Sequence, residues 1–196
     1  RKEKILLLLL DNKILSLQNL SDMFYVSRNV IKQDLIELEA WLGTFSLSIE
    51  SKQKVGIRLV GRERNKRSAL LRIHQFSDGE EIKVFHEEMF PNYEILQVKQ
   101  QLIYLQEELN KNFTKESFNN LTFHLLMAVK RIKGKKFISM SNKEIEVLRA
   151  KKEYDIVKRN VKGLERPFVL KFPEEEVLYF LLHVAGAKEK NNDVFF

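Results

Sequence analysis

Val26-Ser27-Arg28-Asn29-Val30-Ile31-Lys32-Gln33-Asp34-Leu35 is the stretch on which the first half of the chain turns. Ser27 is a good N-cap, because its hydroxyl can accept from the open backbone N–H groups of a first helical turn. The helix it starts runs from Arg28 to about Leu42, with Ile31, Leu35, Leu38 and Leu42 on one stripe. Asn29, Lys32, Gln33 and Ile36 lie on the opposite face. One side is therefore core, and the other presents groups able to bond base edges or phosphates. Arg28 and Lys32 can neutralise phosphate or bond guanine, Asn29 and Gln33 can pair with adenine, and Ser27 can touch phosphate.

The flanks agree with that reading. Lys2 to Leu10 reads as a short buried helix, and Ser16 to Phe24 as a second with Ser16 its cap. Tyr25-Val26 makes the tight turn a helix-turn-helix needs. After Gly43 the pattern alternates. Leu47-Ser48-Ile49-Glu50 and Val55-Gly56-Ile57-Arg58-Leu59-Val60 look like two strands, with Ser51-Lys52-Gln53-Lys54 a basic hairpin tip. Lys52 and Lys54 are wing candidates for DNA contact, with Arg58 beside them. Three helices and a basic hairpin make a winged helix-turn-helix, expected over residues 1–76. The same unit can instead serve as a protein-interaction module.

Asn65 to Phe76 looks helical and basic on its outer face. From Ser77 to Pro91 the chain turns acidic, and a linker is expected over residues 77–91. Residues 92–196 then read as helix throughout, roughly 92–112, 115–133, 143–165 and 173–188. Thr114 and Ser141 or Asn142 are cap candidates, and Pro173 suits a first turn. The expected fold class is mainly α, a winged helix-turn-helix followed by an all-α helical bundle.

Composition narrows the chemistry. The 196 residues suit one large or two small domains, and 44% hydrophobic content supplies real cores. With no cysteine, disulfides, thiolate zinc sites and cysteine catalysis are excluded, and a reducing cytoplasm fits. Only 7 Gly and 3 Pro argue against a glycine-rich phosphate loop and against low complexity. A net charge of +7 favours an anionic partner. Ile5 to Leu10 is apolar but stops at Asp11, well short of the roughly 20 residues a membrane span needs. The first residue is Arg1, so the chain is expected to be a piece of a longer one. No nucleophile–base pair marks an enzyme.

Two histidines lie in the apolar second half. One sits in Asn120-Leu-Thr-Phe-His124-Leu-Leu-Met-Ala-Val-Lys-Arg131, the other in Glu175-Glu176-Val-Leu-Tyr179-Phe-Leu-Leu-His183-Val-Ala-Gly-Ala187. Seven residues are about two helical turns, so His124 shares a face with Arg131, and His183 with Glu176. Ser117 and Asn120 continue the first polar strip beside a stripe of Phe118, Leu121, Leu125, Ala128 and Ile132. Tyr179 continues the second, beside Val177, Leu178, Leu181, Leu182, Val184 and Ala185. A histidine on such a strip is ordinarily packed or solvated. No third ligand joins the pair, so neither a metal nor another cofactor is expected. His74 and His86 lack such a strip and serve as internal controls.

In these contexts the second half resembles a PTS regulation domain, or PRD, of the sugar-responsive bacterial regulators of the BglG, LicR and MtlR type. The stretches His124 to Arg131 and Glu176 to His183 carry the match. The first half resembles the winged helix that precedes the first PRD in the activator branch, including Mga-like regulators, through Val26-Ser-Arg-Asn29, Gly56-Ile-Arg-Leu-Val-Gly61-Arg-Glu63 and Arg67. The resemblance implies that His124 and His183 accept phosphoryl groups from the phosphocarrier HPr or a permease's enzyme IIB. Sharing those strips, Arg131, Glu176 and Tyr179 are expected to support the sites, and a two-fold operator favours a homodimer. The resemblance also implies a cytoplasmic activator of a carbohydrate operon that binds double-stranded operator DNA. Arg131 beside one histidine and Glu176 beside the other leads us to expect two sites with different readouts. An RNA-binding antiterminator uses the same PRD with a small β head, which a head opening with three helices does not fit.

Overall fold

The structure, a computed structural model, describes residues 1–11, 14–52, 56–73 and 89–190. The chain divides into two compact units, residues 1–85 and 86–196. The acidic stretch Ser77 to Glu88, the control residues His74 and His86, and Phe76 and Lys54 lie outside the described residues.

The first unit contains α1 (Lys2–Leu10), α2 (Leu17–Phe24), α3 (Arg28–Gly43), β1 (Ser48–Lys52), β2 (Gly56–Val60) and α4 (Glu63–Leu71). Capping starts the second and third helices where the serines stand. Ser16 forms a reciprocal capping box with Asn19, and Ser27 accepts from the Val30 N–H. Each such cap is worth about 1 kcal/mol. The turn between α2 and α3 places Tyr25 in the left-handed region, at φ 54.

The core of this unit joins Ile5, Leu6, Leu9 and Leu10 of α1 to Leu20, Ile31, Leu38 and Leu42, all with no exposed surface. The stripe on α3 differs from expectation at one turn. Leu35 is only half-buried, while Asp34 is buried. The cause is an ion pair: the Arg1 guanidinium grips Asp34 through Nε to Oδ2 at 2.5 Å and Nη2 to Oδ1 at 3.0 Å, tying α1 to α3.

The strands pair antiparallel, Ser48 opposite Val60 and Lys52 opposite Gly56. Ser51 and Lys52 are thus strand residues rather than hairpin tip. Leu15 adds a bridge to Ile57, its N–H donating at 3.2 Å and its carbonyl accepting at 2.6 Å. Gly56, at φ +103, permits this approach, since a Cβ there would stand 2.8 Å from the Leu15 carbonyl oxygen. The helix expected from Asn65 instead begins at Glu63, and Lys66 and Arg67 turn inward. Arg67 is stabilised one turn on from Glu63, Nε to Oε1 at 3.1 Å.

The second unit contains α5 (Asn92–Leu109), α6 (Lys115–Lys133), α7 (Asn142–Arg149), α8 (Tyr154–Gly163), α9 (Glu165–Phe168) and α10 (Glu174–Ala185). Thr114 caps α6, and Ser141 opens α7 with a capping box to Glu144. The single helix expected over 143–165 is broken between Ala150 and Glu153. Its buried positions explain the break. Tyr154, Val157, Val161 and Leu164 follow a helical repeat, but Leu148 precedes Tyr154 by six residues, which one continuous helix would place on a different face. Among the described residues no helix is long and apolar enough to cross a membrane.

Helices α6 and α10 pack antiparallel. The Thr114 N–H donates to the Lys188 carbonyl at 3.0 Å. The Lys188 N–H in turn donates to Ser117 Oγ at 2.8 Å. At the other end the Ile138 N–H donates to Glu176 Oε1 at 3.0 Å.

Candidate functional site

The antiparallel pairing brings the two histidines together. The rings of His124 and His183 are stacked, with centroids 3.4 Å apart and planes inclined by 19°. Both residues are half-buried, and the Nε2 atom of His183 is buried. Tyr179 closes one side, standing edge-on to His183 at 4.6 Å and to His124 at 6.3 Å. The sequence placed each ring on its own helix strip. What it could not show is that the strips meet, because that depends on the register between α6 and α10.

The same register sets Arg131 and Glu176. Each lies seven residues from its own histidine, along helices running in opposite directions. Both therefore stand about 10 Å of helical rise to the same side of the stack. Both are deeply buried, at 2% exposure, and Glu176 is held by the Ile138 N–H. Arg131 and Glu176 thus lie on the same side of the histidine pair, one on each helix. Asn120 is exposed, and Ser117 is buried against Lys188. Among the described residues no group of three His, Cys, Asp or Glu side chains could hold a metal ion.

An imidazole nitrogen with its lone pair is a nucleophile near neutral pH and can accept a phosphoryl group. Two such rings, half-exposed at one point on a bundle, make a compact place to write negative charge.

In the first unit a second candidate surface lies on α3. Ser27, Arg28, Asn29, Lys32 and Gln33 are all exposed. Arg28 with Lys32, and Asn29 with Gln33, stand one turn apart and form two parallel rows at the N-terminal end of the helix, where a recognition helix meets base edges. Glu37 ends the second row. Its carboxylate lies 3.5 Å from Gln33 Nε2 and pairs with Lys2. The hydrogen bond from Lys2, then that from Gln33, holds its pKa below the ordinary carboxylate value.

On the wing, Lys52 and Arg58 converge on one carboxylate. Arg58 Nη2 reaches Glu50 Oε2 at 2.6 Å, and Lys52 Nζ lies 3.7 Å from the same oxygen. Hydrogen bonding by Arg58 holds the Glu50 carboxyl below its usual range. Periodicity gave no sign of Tyr25, which is 95% exposed beside Ser27.

Comparison with known proteins agrees with both halves. Residues 1–58 match the model of an HTH domain, and residues 99–187 match that of the PRD domain. The chain is similar to the transcriptional regulator ManR of Bacillus subtilis (strain 168), 38% identical over 182 residues, which is 92% of this chain and 28% of that protein. It is also similar to the probable licABCH operon regulator of the same organism, 26% identical over 183 residues, again 92% of this chain and 28% of that protein. The chain thus spans 28% of the length of each of these relatives.

Proposed function

We propose that this chain, which belongs to the PRD-containing regulators, is a cytoplasmic DNA-binding regulator, and an activator, of a carbohydrate-utilisation operon. Phosphorylation at His124 or His183 sets its binding to operator DNA. It acts as a regulator rather than an enzyme, and as a homodimer, since a two-fold operator favours a two-fold protein. The observation that carries this reading is the stacked, half-buried pair of His124 and His183 in the same chain as the exposed row of Arg28, Asn29, Lys32 and Gln33.

The donor is the phosphohistidine of HPr or the phosphorylated enzyme IIB of a sugar permease. The lone pair of an acceptor ring nitrogen attacks phosphorus, the donor's bond to phosphorus breaks, and its electron pair returns to the donor group. The acceptor's ring proton leaves with the donor or to water. The product carries close to two negative charges, by analogy with other phospho-residues. That charge is placed on strips that also carry Arg131 and Glu176, each about two turns away. It acts by repelling a neighbouring surface or by recruiting a cation.

Incubation with phosphorylated HPr and, separately, phosphorylated enzyme IIB tests the reading. Label is expected on His124 or His183, with His74 and His86 spared. If neither predicted site takes a phosphoryl group from either donor, the regulatory reading of this chain fails.

A further inference from the structure

We propose that His124 and His183 form one phosphoacceptor site with room for a single phosphoryl group, so that modification of either ring closes the site to the other. This rests on the reading of both histidines as acceptors given above.

A phosphoryl group bonded to an imidazole nitrogen lies in the plane of its ring, just beyond the edge. The planes of His124 and His183 are inclined by 19° with centroids 3.4 Å apart. Groups attached to the two rings on the same edge would therefore sit in adjacent layers at about that spacing. A tetrahedral group with three oxygens is thicker than one such layer, so two of them overlap. On opposite edges they avoid overlap but remain only a few ångströms farther apart than the rings' own width.

Charge adds to the steric limit. Each group brings close to two negative charges, so the repulsion is about four times that of a unit pair. Even at the dielectric of water this disfavours the doubly modified site by on the order of tenfold, and by more in a half-buried setting. Arg131 stands two turns away on α6 and is buried. The Nε2 atom of His183 is buried, so a phosphoryl group reaches it only after its surroundings move. Tyr179, edge-on to His183 at 4.6 Å, limits where that ring can go.

The consequence is regulatory. A pair of independent sites would give three levels of charge, with none, one or two phosphoryl groups, whereas this pair gives two, and the donor that arrives first excludes the second.

Phosphoramidate tests this alongside phosphorylated HPr, because it transfers a phosphoryl group to imidazole without a protein donor. The bond from nitrogen to phosphorus breaks and ammonia leaves with the acceptor's proton. The chain is used with His74→Asn and His86→Asn, so that only the pair can react. It is compared with the same chain carrying His124→Asn or His183→Asn, and phosphoryl groups are counted by intact mass. One group is expected on each single variant and one on the chain with both rings, its label divided between the two positions. Two groups on the chain with both rings would overturn the proposal. So would a single variant that takes none while the other takes one, since an inert ring, and not exclusion, would then set the count. Should a single variant fail to fold, fragment mapping of the chain with both rings reads the same quantity: no molecule carries both modifications, and finding such molecules overturns the proposal. No label on any form with either donor is a different failure, that of the acceptor reading itself.

Discussion

Lys32 and Asn29 stand on the same exposed side of α3, yet they are expected to do different work. A lysine amine is a point charge suited to a phosphate, whereas the planar amide of asparagine matches the edge of adenine. Lys32→Ala should weaken binding about equally on all duplexes and lower the slope of log affinity against log salt by about 1. Asn29→Ala should cost about 1–3 kcal/mol on the preferred duplex and relax preference at one base pair. Titrations of both variants on matched and mismatched duplexes at several salt concentrations distinguish these outcomes. Equal binding by both variants and the parent would favour a protein-interaction role for the winged helix. Lys52→Ala should have a smaller effect than Lys32→Ala, because Glu50 already offsets part of the wing's charge.

Elements of the second unit are tied by a cluster of polar groups at the meeting of α7, α8 and α10. Arg149 Nε donates to Glu174 Oε1 at 2.6 Å, and the Tyr154 hydroxyl donates to the same oxygen at 2.7 Å. The bond from Arg149, then that from Tyr154, pulls the Glu174 carboxyl down from 4.5 to about 2. A carboxyl depressed in the folded state contributes stability that is fully present above its unfolded value and is lost as pH falls through the folded one. The melting temperature should therefore drop between pH 4.5 and about 2. Glu174→Gln should flatten that part of the profile, as thermal melts across the range would read. This cluster was not legible in the sequence, because its three members lie on separate helices and none has a distinctive neighbour. The break ahead of Tyr154 was missed for a related reason. Charged residues cover Ala150 to Glu153 on both sides, so only the phase of Leu148 against Tyr154 reveals it. Caps were legible, since Ser16, Ser27, Thr114 and Ser141 act through residues three positions on. The histidine strips were legible for the same local reason. The ring stack was not, because it depends on the register of two helices far apart in the chain.

On the scale of the whole molecule, one chain is proposed to read DNA with its first unit and to accept charge on its second. The homodimer proposed above has a candidate face on α5, where Tyr93, Leu96, Ile103 and Tyr104 are 62%, 67%, 40% and 49% exposed. Burying such side chains is favourable by roughly 25 cal/mol per Å². Leu96→Glu together with Ile103→Glu should therefore shift sedimentation from dimer toward monomer while leaving the helical signal unchanged. The central claim, that charge at the histidine pair sets DNA binding, is tested most directly by one affinity measurement. A duplex is first selected from a random pool on the unmodified chain, and its affinity is then measured before and after phosphorylation by HPr. Binding is predicted to change several-fold on phosphorylation, and to stay constant when the same treatment is given to the chain carrying His124→Asn and His183→Asn. Equal affinity for the duplex with and without phosphoryl groups on the pair would contradict the account.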